Sequence, residues 1–153
     1  MKIVIVGASG TIGAAVSELL AQDHQVIRVG HSQGDARVDM RDPASIRALF
    51  EQIGSFDALV VASGSVAFNA LTEMTDEQWQ VGLQSKLMGQ INLTRAAIAH
   101  LSDRGSITLI SGILSEEPIH WGVSATTING AIEHFVKGAA CELPRGCLLY
   151  TSD

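Results

Sequence analysis

Lys2-Ile3-Val4-Ile5-Val6-Gly7-Ala8-Ser9-Gly10-Thr11-Ile12-Gly13 is the stretch whose reading decides the fold. Its first five residues are mostly β-branched and are apolar at consecutive rather than alternate positions, which suits a strand covered on both faces, as in a parallel sheet. Gly7 stops the run. Beyond it, Ile12, Val16, Leu19 and Leu20 recur at helical spacing. A glycine turn between a strand and a helix has a physical use. Gly7 permits the tight turn, Gly10 lets backbone approach a pyrophosphate, and Gly13 lets the helix pack against the sheet. Free N–H groups at the helix start, aided by the helix dipole, bind phosphate charge, and Ser9 and Thr11 add hydroxyl donors. Gly7, Ser9, Gly10, Thr11, Ile12 and Gly13 therefore form the candidate phosphate cradle. A glycine turn without a ligand is the competing reading.

Working outward, Gln25 to Val29 reads as a second strand and Ala36-Arg37-Val38 as a short third one. Asp42-Pro43 supplies an N-cap and first helical position, Ile46, Leu49, Phe50 and Ile53 an apolar stripe, and Gly54 a stop. A fourth strand, Ala58-Leu59-Val60-Val61, ends at Ser63-Gly64. From Thr75-Asp76 a long helix is expected towards His100, with Thr75 and Gln78 in the form of a capping box. Ser106 to Ile110 is the fifth strand. A last helix runs from about Gly122 to Leu143, ended by Pro144 and Gly146. Strands alternating with helices predict an α/β fold: a Rossmann-type, doubly wound parallel sheet in a single domain.

Composition narrows the partners. The 153 residues, 46% hydrophobic, are enough for one core. The longest apolar runs, Ile3 to Val6 and Ala58 to Ala62, fall far short of the roughly 20 residues of a membrane span. No signal-like stretch follows Met1-Lys2, so a soluble, cytoplasmic protein is expected. The formal charge of -6 argues against nucleic acid as a partner and leaves small molecules. Cys141 and Cys147 have no metal-ligand company and read as free thiols, so no metal site is expected.

A unit that prefers NAD places an acid at the end of the second strand, where it binds the ribose hydroxyls. Here that place reads Val29-Gly30-His31-Ser32. With no carboxylate to repel a 2′-phosphate, and with His31 and Ser32 as donors, NADP is the expected cofactor and NAD the alternative, since no arginine sits immediately there. Ordinary solvated loop residues are the other reading of His31 and Ser32.

With these residues in view, the chain resembles the short-chain dehydrogenase/reductase family up to Gly146. The glycine turn matches, although the common family pattern places the middle glycine one residue later. Asp39-Met40 resembles the segment that contacts adenine, and Ala62-Ser63-Gly64 the Asn-Ala-Gly element bordering the cofactor. Gly105 to Ser111 resembles the strand leading to the active site, and Asn129-Gly130-Ala131-Ile132 the helix that carries the catalytic Tyr-x-x-x-Lys. In the family a tyrosine is the general acid/base, a lysine lowers its pKa, a serine polarises the carbonyl, and an asparagine supports a water relay. Aligned by spacing, those four places hold Ala125, Asn129, Gly112 and Lys86. All four depart from the pattern, and the sole tyrosine, Tyr150, lies beyond the helix in question. The usual catalysis is not expected.

Other residues remain candidates. Lys86 and Asn129 look like the family's lysine and asparagine exchanged between helices, which keeps one cation near the nicotinamide ribose. Ser111 adjoins the missing serine position, and Ser115 and Ser124 flank it. The catalytic candidates are thus Lys86, Ser111 and Asn129. Against them stand a solvated helix lysine, a strand-end hydroxyl bonded to local backbone, and an asparagine that orders backbone. His120 and Trp121 are read as either a substrate mouth or a surface loop.

Members of the family continue after a Pro-Arg-Gly like Pro144-Arg145-Gly146 into a sixth strand, a substrate loop and a last strand. This chain reads Cys147 to Asp153 there, which resembles translated sequencing-adapter sequence. The expectation is a family domain over residues 1–146, a tail over 147–153 outside it, and C-terminal strands missing. A genuine short terminus is the alternative. The function implied is an NAD(P)-dependent oxidoreductase of a small carbonyl or alcohol, homo-oligomeric at full length through the two long helices. A non-catalytic NADP-binding or redox-sensing protein is the second reading.

Overall fold

A computed structural model of the chain describes residues 1–152. Six strands, β1 (Lys2–Val6), β2 (Gln25–Gly30), β3 (Ala36–Arg37), β4 (Phe56–Val61), β5 (Leu101–Ile110) and β6 (Leu148–Ser152), form one sheet in the order β3-β2-β1-β4-β5-β6. Every pairing is parallel. The helices between them are α1 (Thr11–Leu20), α2 (Pro43–Ile53), α3 (Asp76–Gly82), α4 (Gly89–Ala97) and α5 (Val123–Ala140).

Strand residues alternate between two cores because successive Cβ atoms point to opposite faces. Val4, Val6, Leu59, Val61, Ile107 and Leu109 join the larger core with residues of α2, α4 and α5. Ile3, Ile5 and Ala58 face the other way, against Val16 and Leu20 of α1. The consecutive apolar run of β1 thus reflects a strand covered on both sides. Two members of the α1 stripe do not serve this core: Ile12 is 52% and Leu19 66% exposed.

The expected long helix from Thr75 to His100 is not continuous. Its N-terminus has the capping box, with Thr75 Oγ1 accepting from Gln78 N and Gln78 Oε1 from Thr75 N. A π-helical segment, Leu83–Met88, then separates α3 from α4. Ser85 is tied at this segment, its hydroxyl donating to Val81 O at 2.6 Å and lying 3.1 Å from Ser65 O, and such back-bonding bends helices. The helix ends at Ala97 because Arg145 Nη2 donates to the carbonyls of Ile98 and Leu101, each at 2.8 Å, as the chain turns into β5.

The fifth strand begins earlier than Ser106. Leu101 pairs with Phe56, an irregularity follows at Arg104 (φ 59°), and regular pairing resumes at Ser106. The third strand stops at Arg37, and α5 stops at Ala140 rather than Leu143, its end tightened by Glu142 N donating to Ala139 O. Residues 148–152, read from sequence as part of a separate tail, pair along β5 from Ser106 to Ile110 as the edge strand. Asp153, the last residue of that tail, lies outside the described residues.

Candidate cofactor site

Strand order reverses between β1 and β4, and open α/β sheets bind ligands at such a point beyond the carboxyl ends of the strands. A cleft of about 580 Å³ lies there. Gly7, Ser9, Gly10, His31, Asp39, Met40, Ala62, Ser63 and Gly64 line it. Thr11, Ile12, Gly13 and Ser32 do not. Gly13 is buried, and Thr11, Ile12 and Ser32 are exposed outside the cleft wall. Thr11, Ile12 and Gly13 remain relevant through backbone: no side chain caps α1, and their N–H groups precede the bond from Ala14 N to Gly10 O at 2.8 Å, in the first turn where no intrahelical acceptor is available.

The three glycines differ in what requires them. At Gly7 (φ 86°) a Cβ would lie 2.5 Å from Ala62 O, and at Gly13 it would lie 2.1 Å from Gly7 O. Both are demanded by the protein's own backbone. At Gly10 the only neighbour of a Cβ would be Gly7 O at 3.4 Å, an ordinary contact. The protein's own backbone thus leaves room for a side chain at Gly10, on the wall of the cleft.

At the far end, Gly30 has a structural reason to lack an acid. Its Cβ would stand 2.4 Å from the backbone oxygen of Gln33. Asp39 closes this end, its carboxylate accepting from Arg41 N (2.9 Å), Arg41 Nε (3.2 Å) and Arg41 Nη2 (3.2 Å). These bonds hold the Asp39 carboxyl below the usual carboxylate range. Arg41 lines the cleft and escaped the sequence reading, which sought arginine only beside β2.

Lys86, Ser111 and Asn129 come together, but behind the cleft wall rather than in it. The stem of Lys86 runs beneath Gly64, where a Cβ would meet Lys86 Cγ at 2.6 Å. Its Nζ donates to Ser111 O and to Asn129 Oδ1, both at 2.6 Å. Asn129 Nδ2 donates in turn to Gly112 O at 3.2 Å. Lys86 is only 9% exposed, which overturns the solvated-lysine reading, and burial pushes its pKa down from 10.5. Asn129 does order backbone, while also holding the amine. Ser111 enters through its carbonyl; its Oγ is buried without a partner, contrary to a hydroxyl bonded to local backbone. Gly112 gives Asn129 space, since a Cβ there would lie 2.8 Å from Asn129 Nδ2. Ala125, at the tyrosine place, is 2% exposed.

Sequence reasoning missed Gln90, and it named Ser115 without its partner Glu133. Gln90, fully buried on α4, donates from Nε2 to Ile110 O (2.8 Å) and accepts from Ile110 N (3.0 Å), which fixes the end of β5 before Ser111. Ser115 Oγ, near the start of the following loop, donates to Glu133 Oε1 at 2.5 Å. No spacing signal marks such long-range pairs. His120 and Trp121 line a separate depression of about 380 Å³ with Asn69, Leu71 and Pro118. Among the described residues no cluster of His, Cys, Asp or Glu is placed to hold a metal, and no helix is long and apolar enough to cross a membrane.

The sheet order and this cleft define a doubly wound dinucleotide-binding protein. Comparison with known proteins makes that specific: the family model for short chain dehydrogenase matches residues 1–146, and the chain belongs to that family of oxidoreductases. The structure of the protein lin1944 from Listeria innocua is similar with TM-score 0.96 and 48% identity, over 99% of this chain and 76% of that one. A small-chain dehydrogenase in complex with NADPH is similar with TM-score 0.88 and 29% identity, over 94% of this chain and 65% of that one. An uncharacterized NAD-dependent oxidoreductase of Mycobacterium tuberculosis is 32% identical over 130 residues, 82% of this chain and 46% of its own length. The chain spans about half the length of the curated relatives it matches.

Proposed function

We propose that the protein is an NADP(H)-dependent, cytoplasmic oxidoreductase that interconverts a small carbonyl and its alcohol. The observation that carries this reading is the cradle at Gly10, open to a side chain as far as the protein is concerned, beside the uncapped start of α1. NADP is favoured over NAD by the absence of an acid at Gly30 and by His31 in the cleft wall. When bound, the dinucleotide supplies or accepts the hydride.

The residues of the chain then have separate tasks. The first-turn N–H groups of α1 hold the pyrophosphate. Asp39 and Met40 border the adenine, and Ala62, Ser63 and Gly64 form the wall behind the ribose. Lys86 is the cation nearest the wall at Gly64. A protonated amine has three N–H groups, of which Ser111 O and Asn129 Oδ1 take two. From behind the wall at Gly64 the charge of the amine stabilises negative charge developing on the substrate oxygen, and burial makes its proton easier to release than that of a solvated lysine. Asn129 positions the amine. The helices α4 and α5 are the proposed homo-oligomer surface.

A second reading, a non-catalytic NADP-binding or redox-sensing protein, is favoured by Ala125: the tyrosine place is buried and holds no acid or base. A screen of aldehydes and ketones with NADPH separates the two. Turnover that falls about 100-fold or more in Lys86→Ala, with NADPH affinity retained, is the enzyme result. Turnover untouched by the substitution removes Lys86 from the chemistry, and none with any substrate leaves the sensor reading.

A further inference from the structure

We infer that Arg41, tethered by Asp39, is the side chain that reads the 2′-phosphate of NADP. The inference rests on the cofactor reading above and adds to it a residue outside the segment where selectivity was sought. A 2′-phosphate carries up to two negative charges, and a cleft that prefers it needs a fixed cation. The turn after β2 offers His31, an imidazole without the guanidinium fork, and Ser32, which does not line the cleft. Arg41 is the only lysine or arginine lining the cleft among the described residues. It arrives from the next strand: β3 pairs with β2 through Gly30 and Arg37, so the chain leaving β3 runs beside the chain leaving β2.

The tether explains how Arg41 is kept there. Asp39 accepts from both its backbone N–H and two nitrogens, Nε and Nη2, on one edge of its guanidinium, so the side chain is held along the wall. The pair is open to solvent, with side-chain exposures of 59% for Arg41 and 35% for Asp39. Exposed ion pairs contribute little to stability, so a phosphate can take over part of the fork at small cost. The guanidinium has five N–H groups, and Asp39 engages only two, which leaves enough to bridge carboxylate and phosphate together. His31 lines the same end of the cleft and is a second candidate contact there.

Calorimetric titration with NADPH, NADH, adenosine 2′,5′-bisphosphate and adenosine 5′-monophosphate tests the assignment on the full chain and on Arg41→Ala, Arg41→Lys and His31→Ala. Arg41→Ala should weaken NADPH and the bisphosphate by about tenfold or more, the usual loss for a charge-assisted hydrogen bond, and leave NADH and the monophosphate within about twofold. Arg41→Lys should fall between, keeping charge without the fork. Equal losses for phosphorylated and unphosphorylated ligands would make Arg41 a general wall residue and overturn the inference. So would a preference that vanishes in His31→Ala and survives in Arg41→Ala. If the unmodified protein binds neither dinucleotide, the cofactor reading itself falls and takes this one with it; if it binds NADPH and Arg41→Ala binds it equally, only this one falls.

Discussion

Gly10 and Gly13 sit three residues apart in one turn, yet alanine at the two positions should fail in opposite ways. At Gly10 the backbone is extended (φ -77°, ψ 169°), a conformation open to any residue, and the new methyl would touch only Gly7 O at 3.4 Å. Alanine is a poorer N-cap than glycine, so the folded state should lose less than about 1 kcal/mol. The methyl would instead hold the pyrophosphate away from the helix start. Losing one charge-assisted hydrogen bond costs about 1.5–3 kcal/mol, or about 10- to 150-fold in Kd. At Gly13 the methyl would fall 2.1 Å from Gly7 O and 2.7 Å from Gly7 C, both backbone atoms that cannot rotate away. Overpacking of this kind costs about 1–3 kcal/mol or more. Urea unfolding and NADPH titration on both variants give the pattern: Gly10→Ala keeps its midpoint and loses affinity, while Gly13→Ala loses midpoint. A Gly10→Ala protein that binds NADPH like the parent would refute the reasoning, because the cleft would then have no need of that glycine.

The buried amine makes a pH-dependent contribution. Because the folded-state pKa of Lys86 lies below 10.5, the unfolded chain holds more protons between the two values, and stability relative to Lys86→Met should rise with pH across that alkaline window. Urea unfolding of both proteins at about pH 7 and about pH 10 checks the sign, and a gap that is constant or shrinks contradicts it. Restoring the family's serine should also do harm: Gly112→Ser puts a Cβ 2.8 Å from Asn129 Nδ2 and displaces the group that holds Lys86. A loss of about 1–3 kcal/mol in unfolding free energy is expected, the cost of leaving a buried polar group unpaired, and an unchanged midpoint would show that the network tolerates displacement.

The glycine turn was legible because backbone geometry admits few residues there: Gly7 and Gly13 are fixed by overlaps at neighbouring backbone, which any sequence for this turn must respect. The alternation of strands and helices was legible from period. What escaped shares one cause, namely contacts between residues far apart in sequence. A lysine on a helix reads as solvated unless one knows that Gly64 lies over its stem and Asn129 faces it, 43 positions away. Arg41 follows β3, so a search beside β2 passes it by. The break at Leu83–Met88 hides in an unbroken helical pattern, since a π turn follows from where Ser85 and Lys86 are tied rather than from helix propensity. The tail beyond Gly146 resembled nothing in the family and still pairs along β5, because a parallel edge asks of its neighbour chiefly β-favourable residues such as those of Leu148-Leu149-Tyr150-Thr151.

The most direct test of the central claim watches the cradle itself. In a titration of the isotopically labelled protein with NADPH, followed by the amide resonances, the N–H groups of Thr11, Ile12 and Gly13 should show saturable shifts among the largest in the protein. Those of Gly10 and Gly64 should move with them, and the loop of Pro118 to Trp121 should move little. Resonances at the start of α1 that stay fixed while NADPH saturates the protein would contradict the account.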